Sequence, residues 1–367
     1  MTARARPKGV PLLLFLIFIL QSVELSGRDP LDTAINGPCR LAVDGTGNLF
    51  VSEEYRKRIL RIDWKRNAVE VVAGNGKECC FKENGLARQS SVYGVYSIAL
   101  DENGNLYMGG RNHDDGAFVR VVDKSTQCIK YFATSRSAAL VDGAPHVNAE
   151  VFDPTGIVPL RSGALLVSAY YHIVEFGKST VTFAGIPDRM GFSGDGGPAL
   201  EATFHSPHAL ALDCNGNVYV ADYHNHRIRR IDGETRIVAT VAGDGSETSS
   251  GDGGPATSAG VRYPFDIAVD GQNNIFIIEN GAWTVRRVDA KTGLISTIAG
   301  TGQEGYSGDG GPATHAKIDA CGLALDQEGN IYVADLVHNR IRHVDAHTGI
   351  ITTVAGNGLP KRKAVIE

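Results

Sequence analysis

Short runs of alternating or continuously apolar residues, rich in Val, Ile, Thr and Tyr, recur along the chain between clusters of Gly, Asn and Asp. One set comprises Ala209–Asp213, Asn217–Asp222, Arg227–Asp232 and Ile237–Ala242, ending at Gly243. Runs of this length, punctuated in this way, are strand and hairpin signals. No window keeps the apolar spacing of an amphipathic helix. The set therefore predicts one sheet of four short antiparallel strands. Such a sheet cannot bury both faces alone, but sheets arranged radially bury them against one another.

The set repeats. Asp-x-x-Gly-Asn-apolar-aromatic stands at Asp44–Phe50, Asp101–Tyr107, Asp213–Tyr219 and Asp326–Tyr332. Asp270–Phe276 has Asn273 in place of the Gly, and Leu160–Leu166 is a degraded copy held in register by Gly163. The intervals of 57, 59, 53, 57 and 56 residues predict six units filling the chain from about Asn36 to Gly358. A second element, Gly-Asp-Gly-Gly-Pro-Ala, links units at Gly194–Ala199, Gly251–Ala256 and Gly308–Ala313, with worn copies at Glu83–Ala87 and Val141–Ala149. Its glycines suit tight turns. Asp195, Asp252 and Asp309 could alternatively hold cations, but one carboxylate per loop is far from the six to eight oxygens calcium takes.

The expected fold is all-β: a six-bladed β-propeller of four-stranded antiparallel blades, at about 36–76, 92–135, 151–185, 204–245, 261–302 and 318–358. Blades 1 and 6 each own four strands, and Arg28–Asn36 shows no strand. Closure is therefore expected from blade-to-blade packing and not from a blade shared between the termini.

The 44 glycines and the 43% apolar share fit a turn-rich protein with a real core. Ahead of the repeats, Arg4, Arg6 and Lys8 precede an apolar run from Val10 to Leu20, so residues 1–27 read as a secretory signal. Eleven helical residues span only about 16 Å, short of a hydrocarbon core of ~30 Å. The alternative is an uncleaved signal-anchor, which would make the chain a single-pass membrane protein. The expected domains are the signal at 1–27, the propeller at 28–358 and a tail at 359–367. Location in the secretory lumen or outside the cell follows, probed by six cysteines that suit an oxidising compartment. The net charge of -5 argues against nucleic-acid partners. A monomer is expected.

The run Tyr219–Arg230, echoed at Tyr332–Ile341 and more weakly at Phe50–Leu60, together with Thr-Val-Ala-Gly and Gly-Asp-Gly-Gly-Pro-Ala, resembles the NHL-repeat family. The resemblance implies a six-bladed propeller and a protein- or ligand-binding role. In the family pattern Asp222 with Arg227, and Asp335 with Arg340, look like intrablade pairs. Gly110 and Ala169 replace that Asp in blades 2 and 3.

Candidate chemistry gathers at the channel. The position five residues before each repeat Asp begins an innermost strand and should ring one mouth: Cys39, Tyr96, Thr155, His208, Phe265 and Cys321. Peptidyl-hydroxyglycine amidating lyase is similar in architecture and places zinc-binding histidines around its channel; only His208 matches that pattern. Three readings stay open for Cys39 and Cys321: a disulfide stapling blades 1 and 6, two unpaired core residues, or zinc ligands with His208. A bridge from Cys79 or Cys80 to Cys128 is a further guess. Arg111–Gly116 is read as a lengthened blade 2 loop. Binding residues are expected at His208, Tyr96, Phe265, Arg111, Asp114 and Asp115, with no catalytic set and no cofactor. The expected function is a noncatalytic extracellular scaffold for an unidentified protein or small ligand. The alternative is a metal-dependent lyase or hydrolase at the channel, using zinc or calcium.

Overall fold

The computed structural model describes residues 29–135, 146–147 and 153–359. The expected signal, most of the worn linker at Val141–Ala149 and nearly all of the tail lie outside them.

Six sheets follow one another along the chain, each built on four antiparallel strands; the blade 2 sheet gains two further short strands, one of them parallel. Blade 1 is β1 (Pro38–Val43), β2 (Leu49–Glu53), β3 (Arg58–Asp63) and β4 (Ala68–Ala73). The short β5 (Gly85–Leu86) precedes blade 2, which is β6 (Val95–Leu100), β7 (Leu106–Asn112), β8 (Gly116–Val122) and β9 (Cys128–Thr134). After β10 (His146–Val147) comes blade 3: β11 (Ile157–Pro159), β12 (Leu165–Ser168), β13 (Ile173–Phe176) and β14 (Thr180–Ala184). Blade 4 holds β15 (Pro207–Leu212), β16 (Val218–Asp222), β17 (Arg227–Ile231) and β18 (Val238–Ala242). Blade 5 holds β19 (Pro264–Val269), β20 (Ile275–Glu279), β21 (Thr284–Val288) and β22 (Ile295–Ala299). Blade 6 holds β23 (Ala320–Leu325), β24 (Ile331–Asp335), β25 (Arg340–Val344) and β26 (Ile351–Ala355).

The repeat motif is a turn staple. Asp213 accepts the Asn217 amide at 2.9 Å and the Asn217 side chain at 2.6 Å, closing the β15–β16 turn around Gly216 at φ 80°. Asp44–Asn48 and Asp326–Asn330 make the same bonds. In blade 5, Asn273 takes the same left-handed conformation at φ 66°, which Asn tolerates better than most residues.

Six apolar clusters sit between the blades, one at each junction. At the closing junction Leu49, Val51 and Leu60 of blade 1 meet Ala334 and Ile341 of blade 6, with Ile35 between them. Closure is therefore by packing, with four strands owned by each terminal blade. Residues 29–36 form no strand but take the place of a linking loop. The Gly356 amide donates to Pro30 O at 3.0 Å, as Gly243 does to Ala256 O and Gly300 to Ala313 O.

The closing junction also carries a covalent staple. Cys39 and Cys321 form a disulfide, with Cα atoms 5.0 Å apart, which settles the three readings left open above. Inner strands come this close because Gly322 adjoins Cys39; a Cβ there would lie 1.9 Å from the Cys39 carbonyl oxygen. Cys79, Cys80 and Cys128 are free thiols, so the second bridge is not formed. Leu86 is the residue that β5 places opposite Cys128.

The linking loops cover the outer edge of the following blade. Gly196 N donates to Val238 O and Val238 N to Gly197 O, and Pro198 bridges Ile237. Asp195 then reaches Arg229, which is fully buried in β17, at 2.7 Å. Asp252–Arg286 and Asp309–Arg342 repeat this pair at 2.6 and 2.8 Å. These aspartates serve ion pairs between a loop and the next blade, and their second oxygens bind Thr240, Thr297 and Thr353.

This arginine also corrects the intrablade pairing. Asp222 pairs with Arg229 at 3.5 Å and Asp335 with Arg342 at 3.6 Å, not with Arg227 and Arg340. Arg227 and Arg340 lie nearer solvent and donate to the carbonyls of Asn225 and His338. The buried cation needs two carboxylates more than the exposed one does. Burial lifts the Asp222 carboxyl to about 6, opposed by its bonds to Asn225, His205 and Arg229. Blade 2 solves the problem differently, with Asp115 paired to the buried Arg120 in place of the Asp missing at Gly110.

Two outcomes test this account. Replacing both Cys39 and Cys321 by Ser should lower stability by about 3–5 kcal/mol, since the bridge closes a very long loop; reducing agent should reproduce the loss in the parent protein. Arg229→Ala should cost about 3 kcal/mol by stranding two carboxylates, against about 1 kcal/mol or less for Arg227→Ala. Urea midpoints read both.

Candidate functional site

Each inner strand starts at the same face of the ring, where the hairpin turns between second and third strands also lie. A cavity of about 570 Å³ opens there, with Cys39, Tyr96, Thr155, His208, Phe265 and Cys321 all in its wall. The six positions picked out from the repeat thus share one space. Arg111 joins them, ion-paired with Asp153 at 3.2 Å.

Asp114 and Asp115 do not reach the cavity wall. The Asp114 amide bonds the Asn112 side chain in the hairpin turn, leaving the residue exposed. Asp115 is buried and its carboxylate serves Arg120, Tyr131 and Asn112. The run Arg111–Gly116 is not a lengthened loop. Its extra residues extend the β7–β8 ladder to the pair Asn112↔Gly116. Polar residues at a hairpin end read as loop because their hydrogen bonds cannot be seen in the composition.

The residue that organises the cavity is Arg40, one position beyond Cys39. The equivalent positions in other blades are Ser97, Gly156, Ala209, Asp266 and Gly322, so small neighbours leave Arg40 room to cross the lumen. It is 6% exposed. Its Nε donates to Tyr96 O at 2.7 Å, its Nη2 lies 3.3 Å from His208 Nδ1, and its Nη1 is 3.8 Å from Asp266 Oδ1. The guanidinium carbon stands 4.5 Å from the Phe265 ring centroid. One side chain from blade 1 thereby touches blades 2, 4 and 5. Reading one residue further along each inner strand would have found it.

Burial governs the charges. It lowers the Arg40 value, opposed by Asp266, and raises that of Asp266, opposed by Arg40. His208 is held at about 3 by burial and then by the Arg40 charge, against the bond to Phe265 O. It is a neutral imidazole at ordinary pH. Cys39 and Cys321, spent in a disulfide, cannot serve as the zinc ligands considered above. Among the described residues no three His, Cys, Asp or Glu side chains are placed to hold a metal ion.

Beside the cavity, rings run across blades 3 to 5. Tyr170 meets Tyr171 (5.3 Å between centroids), Tyr171 meets His205 (6.5 Å) and His205 meets His224 (4.7 Å). Tyr223 meets Tyr263 (5.1 Å) and also His208 (5.3 Å), joining the strip to the cavity. Burial, more than the neighbouring histidines, lowers the His224 value, and burial lowers that of His226.

The model of the NHL repeat family matches residues 204–231, which span β15 to β17 of the best-formed blade. The chain is a six-bladed β-propeller that carries an NHL repeat. Among its relatives, human (Homo sapiens) Teneurin-1 is 24% identical over 368 residues, which is 75% of this chain and 13% of Teneurin-1. NHL repeat-containing protein 2 of Bos taurus is 29% identical over 178 residues, 42% of this chain and 24% of that protein. The propeller thus spans a quarter or less of these relatives. A structural genomics protein of unknown function from Bacteroides thetaiotaomicron VPI-5482 superposes with a TM-score of 0.63 at 15% identity, covering 88% of this chain and 73% of that one. At that identity the likeness concerns the fold alone.

The His208 environment makes a pH prediction. Its folded value of about 3 lies below the ordinary 6.5, so the unfolded chain binds more protons between these limits. The associated stability is whole above pH 6.5 and is lost as pH falls towards 3. Because the ring borders the cavity, the loss from pH 7 to 5 should be about 1–2 kcal/mol. His208→Gln should show a loss smaller by that amount in denaturation curves at the two pH values.

Proposed function

We propose that this NHL propeller is a noncatalytic, extracellular binding module that recognises a protein partner with the face around its channel mouth. The observation that carries the reading is the ring strip from Tyr170 to Tyr263 beside an open cavity. Tyr170, Tyr96 and Tyr55 on this face are 49%, 40% and 59% exposed. Tyrosine offers large contact area with few rotamers to freeze, and it is enriched in the energetic centres of interfaces. Blades locked by buried arginines and a closing disulfide present these rings on a stiff support, so little ordering entropy is lost on binding.

Two features support an extracellular setting. The Cys39–Cys321 bridge closes the ring, and such bridges persist in oxidising compartments. Residues 1–27 have the charge and apolar pattern of a secretory signal.

Site-specific photo-crosslinking tests the reading. A crosslinking residue at Tyr170, His224 or Tyr263 should capture one discrete protein from extracellular material. The same residue at Glu234 or Lys291, in turns of the opposite face, should not. Equal capture from both faces would end the proposal.

A further inference from the structure

The recognition face proposed above holds a second feature, which rests on that reading but has chemistry of its own. Arg40 is a buried cation whose hydrogen bonding is incomplete. Of its donors, Nε is satisfied by Tyr96 O. Asp266, its nearest carboxylate, is committed elsewhere: Oδ1 accepts the Ile267 amide at 3.0 Å and Oδ2 the Leu323 amide at 2.9 Å. That leaves Oδ1 at 3.8 Å from Nη1, outside hydrogen-bond distance. Among the described residues Nη1 has no hydrogen-bond partner, and Arg40 lines the cavity.

Nη2 is little better served. His208 Nδ1 lies 2.9 Å from Phe265 O and 3.3 Å from Arg40 Nη2. A neutral imidazole nitrogen either donates or accepts. The shorter contact places the proton on Nδ1, donating to the carbonyl. Nη2 then faces an N–H and not a lone pair. Two adjacent guanidinium nitrogens are thus left without an acceptor at the floor of a cavity. A buried charge in this state is costly unless an oxygen pair arrives, and a carboxylate matches the two parallel N–H groups of a guanidinium.

The remaining wall narrows the class. Tyr93, Tyr96, Phe265 and the disulfide give it apolar surface. Arg40 has Asp266 as a counter-charge without a hydrogen bond to it, whereas the other cations of the wall are hydrogen-bonded to their carboxylates: Lys57 to Glu78, Arg58 to Glu53, and Arg111 to Asp153. Glu54 also lines the cavity and is exposed. The carboxylates nearby would repel a doubly charged anion, while a single negative charge is met by Arg40. A volume of about 570 Å³ is that of a small-molecule pocket. We infer that the channel mouth binds a small organic monocarboxylate with an aromatic or branched apolar body, its carboxylate on Arg40 and its body against Tyr96 and Phe265.

Titration calorimetry with three phenyl-bearing probes of similar size tests this on the unaltered protein at pH 7: phenylacetate, its isostere phenylacetamide, and phenyl phosphate. Phenylacetate should bind at least tenfold tighter than the amide and tighter than the phosphate. Arg40→Gln paired with Asp266→Asn, which removes both charges together, should abolish that preference while the circular dichroism of the sheets is unchanged. Equal binding of acid and amide, tighter binding of the phosphate, or no binding by any probe would overturn the inference. Tyr170→Ala should leave phenylacetate binding unchanged, so a failure of the protein-recognition reading is distinguishable from a failure here.

Discussion

A four-stranded sheet has two apolar faces and, in isolation, nothing to cover them. Everything else in this molecule answers that constraint. Each blade lends one face to its predecessor and one to its successor, and the arrangement satisfies all six only if the last blade meets the first. The junction between blades 6 and 1 is therefore the point of greatest demand, because no peptide continues across it. Three devices converge there: the apolar cluster around Ile35, the Pro30 carbonyl standing in for a linking loop, and the Cys39–Cys321 bridge. The linking loops solve the complementary problem at the rim, covering the outer strand edges that would otherwise invite pairing with other chains.

The fold was legible because a period near 57 residues with turn chemistry at fixed offsets leaves few architectures, and because strand alternation survives even in worn blades. What was not legible depends on distances between blades. Whether Cys39 and Cys321 bond turns on how closely two inner strands approach, and Gly322 decides that, with a Cβ there lying 1.9 Å from the Cys39 carbonyl. The arginine pairing failed for a related reason. Arg227 stands opposite Asp222 in the ladder, so pairing by register favours it. Arg229, on the same face two residues on, is the one sealed from water, and burial outweighs register in choosing the partner.

The candidate site divides along the same line. Cys39, Tyr96, Thr155, His208, Phe265 and Cys321 were found together because rotational repetition turns an offset in sequence into a ring in space. Asp115 was misplaced because hydrophilic residues at a hairpin tip read as exposed, whereas this one neutralises Arg120. Arg40 was passed over because the adjacent offset, where it alternates with Gly, Ala and Ser, looks like core packing. In a symmetric fold the informative residue is the one that breaks the symmetry, and Arg40 with Asp266 breaks it across the lumen.

That asymmetry separates two kinds of buried arginine. Arg229, Arg286 and Arg342 each bind two carboxylates and several carbonyls, so their charge is answered within the protein and they act as fixed struts. Arg40 is also buried, though slightly less so, and sits at a face open to small molecules, with its nearest carboxylate turned to backbone amides. A strut in its place would have been given a closer acid. The same residue type, largely buried in both settings, thus serves rigidity where its partners are complete and recognition where they are not.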